Sequence, residues 1–122
     1  MKKEVVSTSK TPAVPGAPYS PAIKMGQLMF VAGQIPDDYV ADIKTQTRQT
    51  LEKIRALVGA AGATMDNVVK TTVFLTDLGD YDHMNEVYRE FFRESPPARA
   101  CVQVAGLVRG IKVEIEAIAL IP

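Results

Sequence analysis

Two segments near the end of the chain decide the fold: PPARACVQV, residues 96–104, and KVEIEAIALI, residues 112–121. Both are rich in Val, Ile and Ala, and side chains along a β-strand alternate between its two faces. Alternation predicts that Arg99 and Cys101 share one face of the first strand. It places Glu114 on the more polar face of the second strand. A guanidinium, a thiol and a carboxylate among apolar neighbours require an explanation.

The last of these strands is apolar on both faces, because Val113 and Ile115 on one side are matched by Ile118 and Leu120 on the other. A strand with two apolar faces is covered on both sides. The chain predicts only two helices, and two helices cover one face of a sheet of five or six strands. We therefore expect the other face to meet a further copy of the chain in a homo-oligomer.

The other elements follow from apolar periodicity and turn residues. Gly26 marks a tight hairpin, Gly62 ends the first helix, and Pro96 and Pro97 close the second. The predicted strands span residues 4–6, 22–24, 28–32, 68–76, 99–105 and 112–121, and the predicted helices span residues 42–61 and 80–93. This order predicts an α+β fold in a single domain, residues 1–122.

Charge and cysteine content narrow the function classes. Fourteen basic and 14 acidic side chains balance in 122 residues, so no net field attracts nucleic acid or an anionic membrane. One cysteine, one histidine and no glycine-rich phosphate loop predict neither a metal nor a cofactor. Because no signal-like segment or membrane-length apolar run is present, we expect a cytoplasmic protein.

Cys101 has an inert and a chemical interpretation. A nucleophilic thiolate needs a base or a cationic setting, and the only histidine, His83, lies in the polar helical run DYDHMNE. Cysteine is among the most buried residue types, so we expect Cys101 to pack or to line a pocket without covalent chemistry. His83 is expected to be a solvated helix residue.

Arg99 and Glu114 also have two interpretations each. A guanidinium in an apolar strand requires an anion or solvent. Arg99 either forms a salt bridge with Glu114 or Glu116 on a neighbouring strand, or it awaits a substrate carboxylate, which accepts two parallel hydrogen bonds. Glu114 either faces solvent at a sheet surface or is kept basic enough by apolar neighbours to take a proton from water.

Two further polar residues are candidates. Tyr19, in the sequence APYSP, lies on a proline-stiffened arm that holds its phenol at low entropic cost, although the ring is equally suited to packing the arm down. Asn85, beside the apolar stripe of the second helix, is expected to cap or bridge elements.

Together these strings resemble the reactive-intermediate deaminase family, RidA or YjgF, over nearly the whole chain. The resemblance is carried by APYSPAI, FVAGQIP, QTRQTLEKIRALVGAAGA, VVKTTVFLTDL, NEVYREFF, PPARACVQVAGL and VEIEAIA. It implies a chorismate-mutase-like α+β fold with a mixed sheet, and a homotrimer with clefts between subunits. It also implies cofactor-free hydrolysis of 2-enamine and 2-imine carboxylates, such as 2-aminoacrylate and 2-iminopropanoate, to 2-keto acids and ammonia.

The resemblance implies a role for each matched residue. Arg99 corresponds to the arginine that grips the substrate carboxylate. Glu114, rather than Glu116, corresponds to the glutamate that positions or activates the attacking water. The main chain at Cys101 meets the imine nitrogen. The remaining matched positions contribute to the substrate-binding cleft: Tyr19, Gly33 and Asn85.

The sequence departs from the family pattern at Ala32, where many relatives carry serine, and after Pro36, where the turn is shorter. Two other functions compete with the deaminase. One is a binding module that senses 2-keto acids in the same cleft without turnover. The other is an RNA-acting translation inhibitor, as some relatives are described, but the zero net charge and the lack of a basic stripe weigh against it.

Overall fold

The computed structural model describes residues 1–122 and contains one six-stranded sheet and two α-helices. The elements are β1 Glu4–Val6, β2 Ala22–Met25, β3 Leu28–Gln34, α1 Ile43–Ala60, β4 Val68–Leu75, α2 Tyr81–Phe91, β5 Ala98–Gln103 and β6 Val113–Leu120. Every predicted strand and helix is present, with ends shifted by at most two residues. The predicted α+β fold class is therefore confirmed.

The sheet is mixed, with strand order β1-β2-β3-β6-β4-β5. Neighbouring strands are antiparallel except β4 and β5, which are parallel. Parallel neighbours need a crossover connection, and α2 supplies it between β4 and β5. The last strand in sequence, β6, thus lies in the middle of the sheet between β3 and β4, while β5 lies at the edge.

Both helices cover one face of the sheet, which we call the helix face. Alternate residues of β6, including Val113 and Ile115, are fully buried there against apolar side chains of α1 such as Leu51. The opposite, open face carries no helix, and Phe30 and Leu120 on it are 47% and 46% exposed. As predicted, the two helices leave one face of the sheet uncovered, and that face carries apolar side chains.

The ends of the elements follow local signals in the sequence. The Asp42 side chain accepts a hydrogen bond of 2.8 Å from the backbone N–H of Thr45 and so caps the first turn of α1. Gly62, just past the helix end, and Gly26, in the β2–β3 hairpin, have positive φ angles of 83° and 62°, which glycine adopts without steric cost. None of the helices combines the length and the apolar composition needed to cross a lipid bilayer.

Candidate functional site

Arg99 and Glu114 lie on opposite faces of the sheet. The Arg99 side chain contacts α2 on the helix face, whereas Glu114 points to the open face of β6. Through the sheet register, Arg99 is opposite Thr71 of β4, and Thr71 is opposite Ala117 of β6. With about 4.8 Å between strands and about 3.3 Å per residue, the Cα atoms of Arg99 and Glu114 are about 14 Å apart.

The predicted alternative of a salt bridge from Arg99 to Glu114 or Glu116 is wrong. That interpretation placed β5 and β6 side by side because they are consecutive in sequence. In the sheet β4 separates them, and the two side chains point to different faces. The ion pairs of the chain instead join Lys and Arg residues of α1 to carboxylates of α2 and of the turn after β3, and His83 to Glu86.

The guanidinium of Arg99 is held by neutral groups. Its Nη1 donates to Asn85 Oδ1 at 2.7 Å, and its Nη2 donates to the hydroxyl of Tyr81 at 3.1 Å. The Arg99 guanidinium carbon also lies 4.8 Å from the ring centre of Tyr88 and 5.6 Å from that of Tyr81, distances at which a cation is attracted to an aromatic face. The cation is thus fixed in place without a carboxylate to neutralise it, which suits it to bind an anion from outside.

The positions of Tyr81 and Tyr88 were not singled out from the sequence, although their spacing contains the signal. Residues 81, 85 and 88 are four and three apart, so they share one face of α2. That face meets β5 at Arg99. The prediction that Asn85 bridges two elements is confirmed.

Tyr88 also ties α2 to the sheet beneath Arg99. Its hydroxyl forms a hydrogen bond of 2.7 Å with the hydroxyl of Thr71 on β4, and both residues are buried. Burial raises the pKa of Tyr88, an effect opposed by the Thr71 hydrogen bond and the charge of Arg99. The phenol therefore stays neutral and presents its ring to the guanidinium.

Cys101 lies on the helix face two residues beyond Arg99, half-buried and packed against the hydrophobic core. Burial raises the pKa of its thiol, and the nearby charge of Arg99 only opposes that effect. A neutral thiol is a poor nucleophile. This environment agrees with the packing interpretation of Cys101.

Glu114 lies half-buried in a cavity of about 470 Å³ at the end of β3. Burial, and secondarily the charge of Glu116, raise the pKa of the Glu114 carboxyl. A carboxylate made more basic by its surroundings is better able to accept a proton from water. The cavity is also lined by Tyr19, Gly33 and Ala32. The predicted residues Tyr19, Gly33 and Glu114 therefore lie together.

Gly33 is adjacent to the Glu114 carboxylate because β3 contains a bulge. Val31 pairs with Ala117 and Gln34 pairs with Ile115, so two residues of β3 lie opposite one of β6. A Cβ atom added to Gly33 would lie 2.9 Å from Cδ of Glu114 and 3.2 Å from its Cγ. The Glu114 carboxylate therefore occupies the space that a side chain at position 33 would fill.

Tyr19 and His83 are both exposed. Tyr19 is 68% exposed at the rim of the Glu114 cavity, so its ring does not pack the proline-rich arm onto the core. The His83 side chain is 60% exposed and lies 3.8 Å from a carboxylate oxygen of Glu86, as predicted for a solvated helix residue. No three His, Cys, Asp or Glu side chains converge as a metal-binding group.

The structure contains two residue clusters: Arg99 with Tyr81, Asn85 and Tyr88, and Glu114 with Tyr19 and Gly33. The fold that carries them is that of a small α+β protein with a mixed six-stranded sheet and two helices on one face. The chain matches the family model described as endoribonuclease L-PSP over residues 8–121, and it belongs to this family, the RidA/YjgF family. The resemblance seen in the sequence is thereby confirmed.

Several relatives cover almost the whole chain. A RutC family protein of Pyrococcus abyssi is 50% identical over 125 residues, with 98% of each chain covered. TdcF of Escherichia coli K12, whose name assigns it provisionally to the reactive intermediate deaminases, is 42% identical over 126 residues, with 97% of each chain covered.

Solved structures share the fold. The crystal structure of E. coli TdcF with bound serine has a TM-score of 0.90 at 41% identity and covers 98% of this chain and 99% of its own. The structure of the E. coli YjgF gene product has a TM-score of 0.89 at 40% identity, covering 96% of this chain and 98% of its own.

Proposed function

We propose that this protein hydrolyses 2-enamine and 2-imine carboxylates, such as 2-aminoacrylate and 2-iminopropanoate, to 2-keto acids and ammonia. The observation that carries the proposal is the guanidinium of Arg99, which is fixed by Asn85 and two tyrosines but left without a counterion. A planar carboxylate matches such a guanidinium with two parallel hydrogen bonds. The relative TdcF, named for reactive intermediate deamination, supports the same class of substrate.

The two clusters are used together only if copies of the chain associate. Within one chain Arg99 and Glu114 are about 14 Å apart and point away from each other, so one small substrate cannot contact both. The open face supplies an apolar surface for association, including Leu28, Phe30 and Leu120, each more than 40% exposed. We propose a homotrimer in which the Arg99 side of one subunit and the Glu114 cavity of the next form each cleft. A monomer in sedimentation velocity at micromolar concentration would contradict this assembly.

The proposed chemistry needs little beyond positioning. Arg99 holds the substrate carboxylate, and the main chain at Cys101 holds the imine nitrogen. Glu114 takes a proton from water as the water oxygen adds to the electrophilic imine carbon, and the proton passes to nitrogen. The carbon–nitrogen bond of the resulting amino alcohol then breaks, leaving the keto acid and ammonia. Water supplies the oxygen and both hydrogens, so the reaction balances without a redox partner.

A coupled assay tests the proposal. A serine or threonine dehydratase releases the enamine, and semicarbazide traps the imine that has not been hydrolysed. The protein should accelerate keto-acid release, and Glu114→Ala should abolish the acceleration. Glu116→Ala is the matched control because Glu116 shares the face of β6 but is exposed, and it should remain active.

The same experiment separates the competing binding module. Thermal stabilisation by 2-keto acids with no acceleration in the coupled assay would replace the deaminase with a sensor. The RNA-acting alternative is addressed by RNA binding at increasing salt. The chain carries zero net charge, so we expect no steep decrease with salt; a steep one, reduced by single Lys or Arg substitutions, would restore that alternative.

A further inference from the structure

The cavity that contains Glu114 is also lined by Lys53, whose side chain is largely buried. The side chain of Lys53, on α1, is 12% exposed, and its Nζ lies 2.9 Å from Oδ1 of Asp37. The Asp37 side chain is 72% exposed. An anionic partner stabilises a lysine whose side chain is largely buried, and here that partner is a carboxylate that remains largely in water.

The turn after β3 does not depend on Lys53 for its position. Gln49 Oε1 accepts hydrogen bonds from the backbone N–H groups of Asp37 and Asp38 at 3.0 Å and 2.9 Å. Gln49 and Lys53 are one helical turn apart, so they reach the turn from the same face of α1. An ion pair with a solvated partner contributes about 1 kcal/mol or less. The ammonium is therefore free to exchange Asp37 for another anion.

The charges of the cavity point to an anionic ligand group at this end. Its lining includes Lys10 and Lys53 but a single carboxylate, Glu114. Lysine carries three N–H donors, so Nζ of Lys53 is able to contact a ligand while keeping or releasing Asp37. A volume of about 470 Å³ gives room for a chain longer than that of 2-iminopropanoate.

We infer that Lys53 binds the second carboxylate of a dicarboxylic substrate, so that the preferred substrates are 2-imino dicarboxylates of four or five carbons. This inference rests on the proposed function, in which Arg99 of a neighbouring copy holds the first carboxylate. The imine carbon lies between the two cations, next to Glu114. Water replaces nitrogen as before: the imino diacid and one water give the 2-keto diacid and ammonia, and Lys53 neither gains nor loses a proton.

Selectivity between acidic and neutral imines tests the inference. D-Aspartate oxidase and D-amino-acid oxidase release 2-iminosuccinate and 2-iminopropanoate, and the ratio of the two kcat/KM values is measured by semicarbazide competition. Lys53→Met should lower the ratio of kcat/KM for the acidic imine to kcat/KM for the neutral imine at least tenfold. Lys53→Arg should keep most of the wild-type ratio. Lys44→Met is the matched control, because Lys44 is on the same helix but pairs with Glu86 at the surface; its ratio should equal that of the wild type.

An unchanged ratio in a folded Lys53→Met protein would overturn the inference and leave the deaminase intact. If the wild type hydrolyses neither imine, the proposed function fails, and calorimetric binding decides the role of Lys53. Tighter binding of 2-oxoglutarate than of 2-oxobutanoate, lost in Lys53→Met, supports it; equal binding by the wild type overturns it. Asp37→Asn, a change at an exposed side chain, should tighten 2-oxoglutarate binding severalfold, and weaker binding would contradict the exchange of anions.

Discussion

Substitution of Gly33 by alanine offers a sharp test of how the Glu114 carboxylate is positioned. Gly33 does not have a positive φ angle, so its backbone accepts alanine without strain. The added Cβ would lie 2.9 Å from Cδ of Glu114, whereas ordinary van der Waals contact begins at 3.4 Å. One carboxylate oxygen of Glu114 lies closer still. The carboxyl carbon of Glu114 must therefore move away from the new methyl group by at least the difference between 2.9 and 3.4 Å. To bring the closer oxygen to van der Waals distance as well, the carboxylate must move by about 1 Å.

The expected effects on activity and stability differ greatly. Displacing a reacting group by about 1 Å costs about 100-fold in rate, which corresponds to about 2.7 kcal/mol of transition-state stabilisation. The displaced atoms are the free end of a half-exposed side chain, so the free energy of unfolding should decrease by less than about 1 kcal/mol. Alanine also restricts the unfolded chain, which offsets part of that loss.

Both quantities are measurable on the same preparation. The coupled imine assay gives the rate, and thermal unfolding gives the stability. Gly59→Ala is the matched control, because Gly59 lies in α1 and an added Cβ there meets no atom within 4 Å. It should keep full activity and gain roughly 0.5 kcal/mol of stability. Turnover by folded Gly33→Ala within threefold of the wild type would refute the argument that Gly33 makes room for the carboxylate.

The remaining predictions concern four residues, each tested separately. Arg99→Lys keeps the charge but loses the planar guanidinium, so imine hydrolysis should fall about 100-fold or more in the coupled assay; near-normal turnover would exclude carboxylate binding by Arg99. Cys101→Ala should keep most of the activity, and a folded but inactive protein would show that the thiol takes part. Because burial raises the pKa of Glu114 above its usual 4.5, kcat/KM should decrease as the pH falls through that raised value. Because the folded state binds this proton more tightly than the unfolded state does, the ionised Glu114 carboxylate destabilises the fold. At pH values above the raised pKa, Glu114→Gln should therefore raise Tm, and below pH 4.5 it should leave Tm unchanged. A Tm difference that persists at acidic pH would contradict this. Tyr88→Phe removes the hydrogen bond to the buried Thr71 hydroxyl and should cost about 1–3 kcal/mol in urea unfolding, part of which a second substitution, Thr71→Val, should recover.

Much of the fold was predictable because its signals are local. The apolar stripe of α1, the cap at Asp42 and the positive φ of Gly26 and Gly62 act over a few residues, so a sequence pattern contains them. Strand alternation also predicted that Arg99 and Cys101 share a face. The resemblance to the family added Gly33 as an expected cleft residue, which no spacing alone identifies.

Only the tertiary structure determined which strands are neighbours. Alternation assigns a side chain to a face of its own strand, but pairing between strands is non-local and is chosen by packing of the whole sheet. The insertion of β6 between β3 and β4 separated Arg99 from Glu114 and excluded their salt bridge. It also set the bulge of β3 beside Glu114, so that an unremarkable glycine makes room for the carboxylate. The contact of Lys53 with Asp37 likewise depends on how α1 packs over the end of the sheet, which no run of adjacent residues encodes.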